Sequence, residues 1–315
     1  MLFKKSVPTE DLDYSENDHS PIYRFFSCFG THFLKLVLVN VMFLIFNIPS
    51  MLVAFGYCLI FLPMLNPVFV PKNFIAYMNE LGIVGNSNIN DVGTDAGYQL
   101  YYLIIVFSVM FLIGSLLICI GPFQSGFATI YRNIARGNGT FLWSDFKDGV
   151  KENWKKSLVT TFVTWLLTAI LMLGIAFYAN HFGRFGTAIS VFFAVLFCFL
   201  LIINNMVHYM IATVDLPLKK IYKNAILFFL IKLIPCLGLI LLEVILLVVI
   251  PCVLLFTTTY FAYAIAVVYY FTVAFVLCQF MISFFTNEMV NTYVVTKNDE
   301  SENEEYTDNE GVNEN

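Results

Sequence analysis

The sequence predicts an all-α, polytopic membrane protein with six transmembrane helices and a cytoplasmic, interfacial amphipathic helix. Composition is the first reason: 59% of the 315 residues are apolar and 12% are charged, against roughly 45–50% and about 25% in soluble domains. Too few polar side chains remain to cover such a chain in water, so lipid must surround much of it. Helices are the form expected in lipid, because a helix satisfies its own backbone hydrogen bonds and no period-2 barrel pattern is present.

Six apolar runs are the second reason. Each reaches the roughly 20 residues that about 30 Å of hydrocarbon requires. The predicted spans lie at about 33–62, 98–121, 157–180, 187–213, 225–256 and 260–285. Pro49 lies inside the first run, and Pro235 and Pro251 lie inside the fifth. Since proline interrupts helical hydrogen bonding, we expect both of these spans to bend.

Lysine and arginine are concentrated in alternate connections, which is the third reason and predicts the orientation. The segments before span 1, between spans 2 and 3 and between spans 4 and 5 contain, in that order, Lys4, Lys5 and Arg24; Arg132, Arg136, Lys147, Lys151, Lys155 and Lys156; and Lys219, Lys220 and Lys223. The opposite connections contain only Lys72 and Arg184. By the positive-inside rule, both termini are cytoplasmic and the protein crosses the cell membrane six times.

These assignments divide the chain into three parts. Residues 1–28 form a polar cytoplasmic tail, 29–295 form the membrane domain, and 296–315 form an acidic, disordered cytoplasmic tail. Residues 22–32 are expected to be an aromatic, interfacial approach to span 1. Residues 66–97 are an outer connection rich in Asn and Gly, which is either a loose loop or a partly ordered lid. No basic face of the kind that binds nucleic acid is present.

The inner connection, residues 122–156, contains the predicted amphipathic helix. Trp143, Phe146, Val150 and Trp154 recur at near-helical spacing, and charged residues occupy most of the positions between them. We expect this helix to begin at Ser144 as its N-cap and to lie in the inner headgroup layer. It would serve either as a docking surface for a partner or as a simple anchor in the bilayer.

Glu243 lies well inside span 5, where an unpaired carboxylate costs a few kcal/mol on insertion scales. It is expected to face the protein interior, to be protonated or to line a wet path. It is thus either a proton or substrate site or a structural hydrogen-bonding group.

Asn204, Asn205 and His208 form a second polar group in span 4, where Asn204 and His208 share a helical face. Such residues commonly join membrane helices by hydrogen bonds, and the alternative is a ligand site.

No enzyme motif is recognisable, since a Walker A loop, a GxSxG elbow, an HExxH helix and paired intramembrane carboxylates are all missing. The seven cysteines are scattered and are interpreted as small apolar residues. No histidine has a second ligand at metal-binding spacing. The sequence therefore predicts neither catalytic residues, nor a metal site, nor a cofactor.

The segment GPFQSGFATIYRNIARGNGTFLWSDFKDGVKENWKKSL resembles the hallmark of the YesL family, predicted integral membrane proteins of Gram-positive bacteria that are classed as a domain of unknown function. The residues that carry this resemblance are Gly121, Pro122, Gly126, Ala128, Arg132, Asn133, Trp143, Ser144, Asp145, Phe146, Lys151, Glu152, Asn153 and Trp154. A second, shorter similarity is ATVDLPLKKIYKNAILF, through Asp215, Leu216, Leu218, Asn224 and Ala225. The chain departs from the family pattern in its outer connection, its extended spans 5 and 6 and its acidic tail.

The resemblance implies a part in carbohydrate uptake or its regulation, because family members are often encoded beside carbohydrate ABC transporters and sensor systems. We therefore predict a non-enzymatic accessory or assembly partner of such a system, with residues 122–157 as its docking surface and the lipid bilayer as its surroundings. The alternative is a small secondary transporter whose path is lined by Glu243 and the polar group of span 4.

Overall fold

A computed structural model describes residues 20–82, 92–256 and 260–295. Its α-helices are α1 Pro21–Thr31, α2 Phe33–Phe46, α3 Ile48–Leu65, α4 Pro71–Glu80, α5 Val92–Gly114, α6 Gly121–Ala135, α7 Leu142–His181, α8 Gly183–Thr213, α9 Leu218–Ile231, α10 Leu233–Val244, α11 Ile250–Phe256, α12 Tyr260–Tyr269 and α13 Phe275–Val290. Single π-helical turns at Ile245–Val249, Tyr270–Ala274 and Asn291–Val295 continue α10, α12 and α13.

The predicted all-α membrane fold is confirmed. No strand occurs in the described ranges, and six helices there are long and apolar enough to cross a membrane. These six are Ile48–Leu65, Gly97–Gly114, Leu142–His181, Gly183–Thr213, Leu233–Leu254 and Phe261–Tyr293.

The first crossing is made by α2 and α3 together. The Lys35 ammonium, near the start of α2, donates to Thr140 Oγ1 at one end of the bundle. Met64, near the end of α3, accepts from Asn180 at the other end. The helix breaks at Asn47, so that Pro49 falls in the first turn of α3, where its missing N–H costs least. The bend expected around Pro49 is therefore a break two residues earlier.

Helix α1 precedes this crossing and is bent away from α2 by 79°. Its Ile22, Tyr23 and Phe26 side chains are exposed, while Phe25 packs on Phe280 and Phe284 of α13. This pattern fits a helix that lies along the bundle end rather than one that crosses the membrane.

Between spans 2 and 3 the structure differs from the sequence prediction. Helix α5 ends at Gly114, not at residue 121, and is followed by a buried irregular turn in which Leu116 has a φ of 57°. The segment that begins at Gly121 is then a buried helix, α6, rather than part of a connection. Its fully buried Phe127 and Ile130 belong to the main apolar core.

The predicted amphipathic segment is helical but is not a separate interfacial helix. It is the first part of α7, which runs for 40 residues without a break, or about 60 Å at 1.5 Å per residue. The N-cap is Phe141, so the expected Ser144 cap is wrong. The Asp145 carboxylate accepts from the Phe141 N–H at 3.2 Å and supplies the capping interaction instead.

Span 5 is also subdivided. A break at Lys232 separates α9 from α10, so the apolar crossing begins at Leu233 rather than at residue 225. The π-helical turn Ile245–Val249 then precedes Pro251, which is the second residue of α11. Span 6 runs beyond its predicted end at 285 to Tyr293.

The outer connection is partly helical. Helix α4 lies within it and packs the Phe74 ring on Tyr101 of α5, with 5.7 Å between the ring centroids. Of the predicted N-terminal tail, 1–28, residues 21–28 belong to α1, and residues 1–19 lie outside the described residues. The predicted C-terminal tail, 296–315, and the Asn-rich stretch at 83–91 also lie outside them.

Candidate functional site

The predicted docking segment folds into a close pair of antiparallel helices, α6 and the first part of α7 (residues 142–161), here called the α6–α7 hairpin. At the end of the hairpin away from the connecting turn, the Gly121 N–H donates to Thr161 Oγ1 at 2.7 Å. A Cβ at Gly121 would lie 2.0 Å from the Ser157 carbonyl oxygen. Glycine, followed by Pro122 in the first turn of α6, is therefore required for the two backbones to meet.

Two further glycines allow contact along the hairpin. A Cβ at Gly126 would meet the Phe146 ring at 2.6 Å, and one at Gly149 would meet Thr129 Oγ1 at 2.3 Å. The Ser125 hydroxyl donates to the Gly149 carbonyl at 3.2 Å. Small residues in these positions let membrane helices pack closely, so Gly126 and Gly149 are explained by helix packing.

Phe146 belongs to the interior of this hairpin. Its side chain is buried, and its ring centroid lies 4.7 Å from that of Phe46 and 4.9 Å from that of Phe127. It was predicted as part of the docking surface, but it joins α2, α6 and α7 and is not available to a partner.

Arg132, Asn133 and Asp145 also hold helices together. The Arg132 guanidinium donates to the Ala212 carbonyl at the end of α8 and to Asn133 Oδ1. The Asn133 amide donates to the Asp145 carboxylate at 3.1 Å, which links α6 to the start of α7. Burial, with the positive charge of Arg136 second, lowers the pKa of Arg132.

One face of the first part of α7 stays exposed. Trp143 is 58% exposed and Trp154 is 47% exposed, and Lys147 and Lys151 between them are exposed too. The Lys155 ammonium lies 5.5 Å from the Trp154 ring centroid. Asn153 is half-buried and donates to the Gly149 carbonyl of its own helix. Of the predicted docking residues, the structure therefore leaves Trp143, Lys151 and Trp154 accessible.

Asn204 and Asn205 bind the irregular turn after α5. The Asn204 amide donates to the Leu116 carbonyl at 2.7 Å and its Oδ1 accepts from the Thr164 hydroxyl at 2.7 Å. The Asn205 amide donates to the Ser115 carbonyl at 2.9 Å. Both side chains thus satisfy backbone carbonyls that the end of a helix leaves open. This arrangement matches the alternative in which the two asparagines join helices by hydrogen bonds.

His208 lines a small polar cavity between α6, α8 and α13. Its Nε2 lies 3.7 Å from Cys119 Sγ. Its Nδ1, like Gln124 Oε1, is buried without a hydrogen-bond partner among the described residues. Both side chains line the cavity, whose volume of about 10 Å³ is close to the space that one water molecule needs. Tyr131 and Gln279 line the same cavity and are hydrogen-bonded to each other at 3.2 Å.

Glu243 is fully buried, at 0% exposure, and neither carboxyl oxygen has a hydrogen-bond partner among the described residues. Glu243 is not among the residues that line the His208 cavity. The structure therefore does not bring Glu243 and the polar group of span 4 into one site.

One group of buried amides was not predicted from the sequence. Asn40 accepts from the Phe275 and Val276 N–H groups and donates to the Tyr270 and Phe271 carbonyls. It thereby satisfies backbone groups around the π-helical turn of span 6. Gln124 similarly donates to Asn47 Oδ1 at the break in the first crossing, at 2.9 Å. The signal available in the sequence was a lone amide in an apolar run.

Residues 100–175 match a family described as a protein of unknown function, DUF624. The matched residues contain most of α5, all of α6 and most of α7, so they include the entire α6–α7 hairpin. No curated protein and no solved structure showed a significant match to the chain. Within the described residues, no group of three or more His, Cys, Asp or Glu side chains is placed to hold a metal ion.

Proposed function

We propose that this protein is a non-enzymatic accessory or assembly partner in the cell membrane that binds another membrane or cytoplasmic protein through the exposed face of α7. The observation that carries the proposal is the length of α7. A helix of 40 residues is roughly twice what a membrane crossing needs. The additional length is held rigidly by α6 and exposes Trp143, Lys147, Lys151 and Trp154 on one face.

The chemistry of this face suits protein recognition. Tryptophan is enriched at the centres of protein interfaces, and lysines around such a centre can steer an acidic partner towards it. The buried α6 contact fixes the position of this face before binding. The partner would be a subunit of a carbohydrate ABC transporter or of a sensor system. That assignment rests on the resemblance to the YesL family, with which the DUF624 match over the same hairpin is compatible.

The proposed orientation places the hairpin and both termini in the cytoplasm. Three contacts support the placement of both ends of the membrane domain on the same side as the hairpin. Arg24 near the N-terminus pairs with Glu288 of α13 at 2.7 Å, Cys28 donates to the Ile134 carbonyl, and Lys35 donates to Thr140. The lysines and arginines gathered at this end support the cytoplasmic assignment.

Site-specific photocrosslinking in native membranes tests the docking proposal. A photoreactive amino acid would replace Lys151 on the exposed face, and Phe162, which is 62% exposed farther along the same helix, is the matched control. We expect a crosslinked transporter or sensor subunit from position 151 and lipid alone from position 162. Recovery of lipid alone from both positions would contradict docking. Anchoring in the bilayer would then be the remaining role for this face.

A second candidate function is a small secondary transporter. Glu243 favours it, because neither of its carboxyl oxygens has a hydrogen-bond partner in the described part of the chain. A carboxyl group buried at this depth is a recognised feature of proton-coupled paths. Glu243→Gln keeps the shape of the side chain and removes its ability to ionise. Proton-coupled uptake into liposomes should then fall, and an unchanged flux, or no flux in either form, would argue against this path.

A further inference from the structure

One cavity of the described residues lies among the spans, and none of the residues on the exposed face of α7 lines it, nor does Glu243. Its volume is about 310 Å³, at the lower end of the range for small-molecule sites. It lies between α3, α5, α7, α8 and the segment 248–252. Every residue that lines it belongs to one of five candidate membrane spans. The cavity is therefore at a depth where the surrounding solvent is hydrocarbon.

The lining offers nothing that a polar ligand could bind. Tyr57 and Ser108 carry the only hydroxyl groups among the lining residues. The Tyr57 hydroxyl already donates to the Trp165 carbonyl at 3.1 Å, and the Ser108 hydroxyl donates to the Ile104 carbonyl at 2.9 Å. Cys58 and Cys252 behave as small apolar groups. Water would find no second or third partner here, so the occupant must be apolar.

The cavity is continuous with the lipid-facing surface of the bundle. Phe107, Met172 and Phe197 line it and are only half-buried. Their neighbours Val106 and Leu173 are exposed on the outside of the same helices. An apolar chain in the adjacent lipid layer can therefore enter between the helices while the rest of its molecule stays in the bilayer.

We propose that this cavity binds one acyl chain of a membrane phospholipid. Protein interiors are close-packed and rarely leave apolar voids much larger than a water molecule. A flexible hydrocarbon chain restores the dispersion contacts that the lining would otherwise lack. The bound chain contacts α3, α5, α7, α8 and span 5 at once. It fills a gap that the side chains lining the cavity leave open.

Photolabelling in proteoliposomes tests the proposal. The probe is a phosphatidylcholine with a diazirine in one acyl chain, and labelled peptides are identified by mass spectrometry. Ser108→Phe places a ring in the cavity, and Val106→Phe places the same ring on the lipid-facing side of the same helix. We expect labelling of the peptides containing Met172 and Phe197 in the wild type and in Val106→Phe, and loss of that labelling in Ser108→Phe.

Equal labelling of these peptides in Ser108→Phe and Val106→Phe would overturn the proposal. Labelling by a photoreactive free fatty acid but not by the phosphatidylcholine would overturn the assignment to a phospholipid. Should Ser108→Phe fail to fold, Cys58→Leu fills the cavity from α3 with a smaller change, and the same loss is expected. The outcome is independent of the docking proposal, because none of these residues lies on the exposed face of the hairpin.

Discussion

At the scale of single residues, the close approach of α6 to α7 depends on Gly121. Gly121→Ala would bring its Cβ within 2.0 Å of a backbone carbonyl of α7, and backbone cannot move aside as a side chain can. We expect a loss of about 1–3 kcal/mol of stability, typical of overpacking, and a lower midpoint of thermal unfolding in detergent. Gly238→Ala is the control, because nothing lies within 4 Å of its added Cβ. Equal midpoints for the two variants would contradict the packing described for the hairpin.

Asn204 gives a second test at this scale. Asn204→Leu keeps the branching at Cγ, with a larger side chain, and removes the hydrogen bonds to the Leu116 carbonyl and the Thr164 hydroxyl in a buried site. A cost of about 1–3 kcal/mol is expected. Thr164→Val removes only one of these bonds, so the double variant should lose less than the sum of the single losses. Additive losses in thermal unfolding would show that Asn204 and Thr164 are not coupled.

The residue scale also shows what could be read from the sequence. The depth of Glu243 and the side-by-side placement of Asn204 and His208 follow from helical spacing alone. The groups that Asn204 and His208 contact do not, because they are supplied by distant segments. The carbonyls that Asn204 and Asn205 bind are free to accept these hydrogen bonds only because α5 ends at Gly114. That end was not predictable, since the apolar run continues past it.

At the scale of elements, α7 shows why a helix was predicted but its continuity was not. The change from a charged to an apolar composition near residue 157 suggested two separate helices. Along the buried stripe, however, small side chains continue across this change, at Gly149, Ser157, Thr160, Thr161, Thr164 and Thr168. Small residues at helical spacing mark a contact between membrane helices. Such a stripe cannot be interpreted until the helices that pack on it are known, which are α6 from Gly149 to Thr161 and α8 at Thr164.

Helix α1 supports a prediction at this scale. It is held on α13 by the ion pair between Arg24 and Glu288, at 2.7 Å, and by the adjoining aromatic contacts. Arg24→Glu places two carboxylates together, so α1 should detach more often and Cys28 should react faster with N-ethylmaleimide in a background without the other cysteines. The expected effect on stability is small, at most about 1 kcal/mol, because the pair is partly exposed.

The charge-exchanged variant Arg24→Glu with Glu288→Arg is the control for that experiment. It restores an opposite-charge pair with the partners reversed, and Cys28 should return towards its original rate. If the single and double variants react equally fast, the ion pair does not hold α1 in place.

At the scale of the whole molecule, alternating lysine and arginine content predicted a bundle whose two ends differ in charge. The contacts agree with this arrangement, because Arg24, Lys35, Arg132 and Lys156 all bind groups at the end that contains the α6–α7 hairpin. The number and type of spans were thus predictable from hydropathy and charge, since both follow from the free energy of transfer into lipid. The interior packing was not predictable, because it depends on contacts between segments far apart in sequence.

The orientation of this bundle can be measured directly. In a cysteine-free background, single cysteines at Asn138 and Lys219 should be shielded from a membrane-impermeant maleimide in intact cells, whereas cysteines at Lys72 and Arg184 should react. All four side chains are exposed, so accessibility to the reagent then reports only the side of the membrane. Permeabilised cells provide the control, in which all four positions should react. Labelling of position 138 in intact cells would show that the orientation is the reverse of the predicted one. The exposed face of α7 could then meet only extracellular partners. The docking proposal therefore depends on this result, whereas the acyl-chain cavity, which lies within the spans, does not.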